Sequence, residues 1–316
     1  MNLLTLVLRR LAAAAGVVLA ASVLLFVGSQ VLPGDAASAS LGVSADADEV
    51  AKVRAELGLD RPLPQQYLNW ILGAVRGDLG RSLIDRRPVA EVMAAPLADT
   101  ALLVAITAAV TLVVAAALGT AAGLRPGSRL DRILSGSAVA VVSVPQFVTA
   151  SLLVLLLATT LHVLPAVSLV PFGGTPLDRA EILVLPVLSL ALFAAAWASR
   201  IVRAAVLDAD AAPYVEAARL AGVPERRVLW RHLLPATVPP CAQMFGWLIG
   251  ALFGGTTVVE RVFGYPGLSQ TLVDSVRHHD TPVLEGVGLV LAAILVACLL
   301  VADVFGELAD PRSRTA

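Results

Sequence analysis

Six apolar runs, each close to the length that crosses a bilayer, leave this chain few folds to choose from. They cover residues 11–32, 101–124, 133 to about 161, 182–199, 238–259 and 283–302, and they read as runs without charge. A hydrocarbon core about 30 Å thick takes about 20 helical residues. No water reaches that core, so each spanning segment must satisfy its own N–H and C=O groups, as a helix does. The expectation is an all-α membrane protein with six transmembrane helices. Pro145 interrupts the third run, which is tolerated where neighbouring helices satisfy the freed carbonyl. Residues 165–176, with Gly173 and Gly174, are too broken for helix and read as a loop.

Arginines orient the bundle, because short cytoplasmic loops carry the excess of basic residues. With the N-terminus inside, the inner set is Arg9, Arg10, Arg125, Arg129, Arg132, Arg200, Arg203, Arg219, Arg226, Arg227, Arg231, Arg312 and Arg314. The short outer loops keep only Arg179, Arg261 and Arg277. This predicts both termini in the cytosol. The first run exceeds the roughly 7–15 residues of a signal-peptide core, so it reads as an uncleaved span. The organisation follows: residues 1–32 the first helix, 33–100 an extracytoplasmic segment, 101–306 a five-helix core, 307–316 a cytosolic tail. Within 33–100, residues 46–57 have helical spacing, and 88–95 suit a short amphipathic helix on the membrane surface.

Composition narrows the chemistry. Charged residues are 15% of the 316, against about 25% in soluble domains, and hydrophobic residues are 58%. A net charge of −1 offers nucleic acid no basic surface. Lys52 is the single lysine, and no phosphate-loop motif is present, so ATP binding by the usual loop is excluded. His162, His232, His278 and His279 have no metal-ligand spacing, and no nucleophile elbow appears. Cys241 and Cys298 lie in separate apolar runs, which speaks against a disulfide. The spans instead offer scattered polar groups. Ser143, Gln146, Gln243, Thr256 and Glu260 are the candidates for a translocation path. Gln146 and Gln243 read equally well as helix–helix hydrogen bonds. Glu260 reads equally as an outer-gate residue or as a solvated interfacial acid beside Arg261.

One polar island stands out between the fourth and fifth runs, at residues 207–237. Pro213 suits a first helical turn. Tyr214 to Ala221 then continue as helix, and Gly222 allows the left-handed exit that ends one. Pro224 and Glu225 start the next, with the acid at the positive end of its dipole. Two alanines, Ala217 and Ala218, leave a low surface that a partner can approach. On the predicted topology this is a cytosolic docking lug.

Glu216-Ala217-Ala218, three residues, Gly222, nine residues, then His232-Leu233-Leu234-Pro235 resembles the EAA loop of permease subunits in bacterial ABC importers. His232 stands where that pattern prefers isoleucine. The rest of the chain is similar to the dipeptide/oligopeptide/nickel-type permeases within that family. The resemblance rests on Leu32-Pro33-Gly34-Asp35, Gly77-Asp78-Leu79-Gly80-Arg81-Ser82 and Ser143-Val144-Pro145-Gln146-Phe147. It continues through Val258-Val259-Glu260, Phe263, Pro266-Gly267-Leu268, Asp280-Thr281-Pro282, Asp303 and Asp310-Pro311-Arg312, in family order over essentially the full length.

That resemblance implies a type I importer transmembrane fold (methionine-importer-like) in the bacterial inner membrane. It implies a second related permease, two ATPase subunits that bind the ATP, and an extracytoplasmic substrate-binding protein. The subunit itself would be non-catalytic, without cofactor or metal. Tyr214, Glu216, Ala217, Ala218, Gly222, Arg226, Arg227, Leu234 and Pro235 would form the ATPase-docking surface. Peptides, glutathione, nickel or metal chelates and some sugars are the cargo classes such permeases carry. A stand-alone secondary transporter would instead need ionisable coupling residues or repeat-related broken helices inside the membrane. A scaffold without a conducting path would assemble but pass no substrate.

Overall fold

The computed structural model describes residues 3–31, 47–56, 58–171 and 173–309. The motif residues Leu32-Pro33-Gly34-Asp35 and Asp310-Pro311-Arg312 lie outside them. Among these residues α1 (Leu3–Val31), α2 (Ala47–Glu56), α3 (Leu63–Val75), α4 (Val89–Gly123), α5 (Arg129–Ser143) and α6 (Gln146–Leu153) come first. After them come α7 (Glu181–Asp210), α8 (Pro213–Leu220), α9 (Glu225–Val228), α10 (Leu234–Phe263), α11 (Leu268–Arg277) and α12 (Thr281–Ala309). Wider π-helical turns extend α6 through Val154–Thr160 and join α9 to α10 through Leu229–Leu233.

Among the described residues five helices are long and apolar enough to cross a membrane, and α5 with α6 makes a sixth span if the pair counts as one. The third run is not a straight span: α5 and α6 meet at 100°. Pro145 causes the break. It has no N–H to donate, and its ring drives the preceding residue out of the helical region. Val144 is accordingly extended, at φ −88° and ψ 127°. The Pro145 carbonyl then starts α6 by accepting from the N–H groups of Val148 and Thr149. Two other expectations shift. Residues 88–95 are not a separate surface helix but the first turns of α4, with Val89 and Met93 buried against Leu268, Val283 and Val287. The fourth span runs on to Asp210, about 11 residues beyond the apolar run.

Small residues let these helices come together without a hydrophobic drive from lipid. α7 is the central element and is mostly buried, whereas α1 is largely exposed. Along α4, Gly119 and Gly123 lie against Val202 and Val206 of α7; a methyl on Gly119 would come within 2.6 Å of Ser199 O. Gly246 and Gly250 of α10 admit Ala302 and Leu295 of α12 in the same way. α1 packs on α12 in antiparallel fashion, with Arg10 paired to Asp303 near one end and Ser29 bonded to Glu285 near the other. The start of α1 and the end of α12 therefore share one side of the membrane.

Candidate functional site

The connection between α7 and α10 is a helix, a turn and a second helix. Pro213 takes the first position of α8, and the Ala212 carbonyl accepts from the N–H groups of Val215 and Glu216. At the other end Gly222 adopts φ +74°, and the Val223 N–H returns five residues to Ala218 O at 3.1 Å. This closure needs the left-handed conformation that glycine enters without a Cβ penalty. Pro224 then caps α9 by accepting from Arg227 and Val228. Val215, Val228 and Leu233 are fully buried and fasten the lug to the body.

Three large apolar side chains of the connection are exposed. Tyr214 is 50% exposed, Leu220 83% and Trp230 66%. Glu216, Ala217, Gly222, Arg226, Arg227 and Pro235 are also exposed; Ala218 and Leu234 are partly covered. Sequence reasoning missed the brace. Arg219 donates from Nη2 to Asp210 Oδ1 at 2.6 Å and from Nε to Glu225 Oε1 at 2.9 Å, joining the end of α7, α8 and the start of α9. Its hydrogen bonds to Asp210 and Glu225 hold the guanidinium pKa above the ordinary arginine value. Leu220 and Trp230 were missed too, since an isolated apolar residue in a polar island carries no periodic signal.

The candidate path residues do not share one partner network. Ser143 Oγ donates to Val139 O and Thr256 Oγ1 to Phe253 O, each back into its own helix. Gln243 donates to Asp303 Oδ1 at 3.4 Å, a helix–helix contact. Gln146 approaches Gly255, where an added methyl would meet its Oε1 at 4.0 Å.

Glu260 belongs to an interlock at the opposite end of the molecule from the lug, and it is fully buried rather than solvated beside Arg261. Its Oε1 accepts from Thr100 Oγ1 at 2.7 Å and its Oε2 from the Ser269 N–H at 2.9 Å. Thr100 Oγ1 in turn accepts from the Leu268 N–H, so an acid and a hydroxyl together cap the N-terminus of α11. Gly267 is pressed against the Glu260 carboxylate, with no room for a side chain. Beside it the Tyr265 hydroxyl donates to Asp99 O, and burial pushes the phenol pKa up. Ser82 Oγ and the Leu83 N–H both donate to Asp280, bringing two of the sequence motifs into contact.

Glu285 corrects the reading of the sixth run as uncharged. It is 6% exposed and accepts from Ser29 Oγ at 2.6 Å. One acid among about 20 apolar residues barely moves a hydropathy average, so the run still reads as a span.

Comparison with known proteins agrees with this architecture. Residues 115–315 match the family described as "Binding-protein-dependent transport system inner membrane component", and residues 3–104 match its N-terminal companion. A Brucella abortus (strain 2308) protein, assigned by its name to a peptide transport system as permease, is 34% identical over 98% of both chains. The glutathione transport system permease GsiC of Escherichia coli (strain K12) is 34% identical over 99% of both. The fold resembles that of an inward-facing structure of the MetNI methionine ABC transporter. The TM-score is 0.56 at 17% identity, over 68% of this chain and 94% of that one. The chain belongs to the family of inner-membrane components of binding-protein-dependent transport systems, as a multi-pass permease subunit of an ABC importer.

Proposed function

We propose that this permease pairs with a second, related one to form the path for short peptides, glutathione among them. We further propose that α8 and the turn after it seat in a cleft of one ATPase of a pair, a helix-in-groove contact. ATP is bound and hydrolysed by those partners; this chain supplies no catalytic group. The carrying observation is the lug itself: Tyr214 and Leu220 stand exposed on α8 and Trp230 on the turn after α9, with Arg219 bracing α7, α8 and α9. Closure of the ATPases would move two such lugs together and tip the attached helices as rigid bodies. Peptide cargo is supported by relatives named for peptide and glutathione transport that match over nearly the whole chain. The test is uptake of labelled dipeptide and of labelled glutathione by cells with and without this chain. Uptake lost on deletion, and lost again when the partner ATPase is inactivated, is the expected result. Uptake that persists without the ATPase would point to a stand-alone carrier, and complex formation without uptake to a scaffold.

A further inference from the structure

We infer that α3 lies within the outer leaflet, with its face of Leu68, Leu72 and Val75 against lipid acyl chains, although it belongs to the polar segment after the first span. The depth comes from α1. Arg10 is level with Asp303 at the inner side, and Ser29 with Glu285 at the outer side. Nineteen residues at 1.5 Å each make about 28 Å between Arg10 and Ser29, which matches the hydrocarbon thickness of about 30 Å. Ser22 is two turns below Ser29, about 10 Å inside the outer boundary. Yet Ser22 Oγ is hydrogen-bonded to the Tyr67 hydroxyl at 2.8 Å, and Ser22 is fully buried. Phe26, one turn up, holds Tyr67 at 5.5 Å and Trp70 at 6.1 Å between ring centroids. A tyrosine side chain reaches too short a distance for its helix to float in water above the bilayer.

The three faces of α3 fit that position. Tyr67, Trp70 and Ile71 face α1 and the protein. Gln65, Asn69 and Arg76 form a polar arc, which suits the headgroup level. The remaining arc, Leu68, Leu72 and Val75, is 54%, 51% and 80% exposed. The neighbouring α1 is itself exposed and apolar, with Leu24 74% and Val27 52% exposed. An amphipathic helix with aromatic anchors and an uncovered aliphatic arc is the form that lies in a membrane interface.

Spin labels test this on the full chain in lipid nanodiscs, in a background with Cys241 and Cys298 replaced by serine. Single cysteines replace Leu68, Leu72, Gln65 and Asn69, with Leu24→Cys as the lipid-facing reference. Collision with oxygen, which concentrates in lipid, is compared with collision with a water-soluble nickel chelate. The expected result is oxygen exceeding nickel at 68 and 72, as at 24, and the order inverting at 65 and 69. Nickel exceeding oxygen at 68 and 72 would place the arc in water and overturn the inference. Shielding from both reagents would overturn it as well, by showing a protein partner on that face.

Discussion

Arg203 holds Asp131 with two parallel hydrogen bonds, Nε to Oδ1 at 2.6 Å and Nη2 to Oδ2 at 2.9 Å. The same carboxylate accepts from the Gly127 N–H and from Ser135 Oγ. Forked pairing of this kind fixes geometry as well as charge. It ties the first turn of α5 to α7, two turns before α7 ends and the lug begins. Motion of the lug that shifts α7 must therefore carry α5, and with it the bend at Pro145. We predict that Asp131→Asn and Arg203→Lys lower the substrate moved per ATP while leaving insertion intact, since lysine cannot reproduce the fork. Asp131→Arg combined with Arg203→Asp should recover part of the loss. Proteoliposomes with the whole importer give the ratio; a normal ratio in both single variants would remove the pair from the coupling path.

Gly222 makes a second prediction about the lug. A methyl there meets nothing within 4 Å, so the obstacle to Gly222→Ala is the +74° φ alone. A left-handed conformation costs an alanine roughly 1 kcal/mol or more, which corresponds to about fivefold weaker ATPase docking if that conformation is needed. Asparagine visits the same region more readily, so Gly222→Asn should bind between glycine and alanine. Titration of the purified ATPase onto the permease in nanodiscs measures the order, and equal affinity for all three would contradict it.

At the outer interlock, Thr100→Val keeps the volume and removes the hydroxyl. The Leu268 N–H and the Glu260 carboxylate then each lose a buried partner, with an expected loss of about 1–3 kcal/mol. Thr100→Ser should stay near the parent. Thermal unfolding in detergent reports the difference, and a valine variant as stable as the parent would show that the network is solvated.

Helix packing gives a matched pair of glycines. Gly119→Ala would drive a methyl to 2.6 Å from Ser199 O and from Val202 Cβ, and should destabilise by about 1–3 kcal/mol. Gly136, on α5, has nothing within 4 Å, so Gly136→Ala should be neutral or stabilising by up to about 1 kcal/mol. Melting temperatures that move in the same direction would refute the packing account.

The spans and the lug were legible because both depend on local pattern: apolar length in one case, proline, alanine and glycine at fixed spacing in the other. What escaped depends on distant partners. Pro145 was visible, but the 100° turn is set by α6 folding onto α7 and α10. Glu260 read equally as an outer-gate residue or as a solvated acid beside Arg261, because its actual partner Thr100 is 160 residues away in sequence. The polar span residues suggested a path by type alone, and geometry engages each of them separately. Residues 88–95 look amphipathic for a reason unrelated to the bilayer surface: Val89 and Met93 face a small core under α11 and α12.

Coupling to ATP rests on docking of the ATPase at the α8 lug. Its most direct test is affinity purification of this chain in mild detergent, co-expressed with the genes beside its own, as parent and as Ala217→Trp. An ATPase and a second permease should be retained by the parent, and the ATPase alone should be lost from the variant. An ATPase retained by a well-folded Ala217→Trp chain would contradict it.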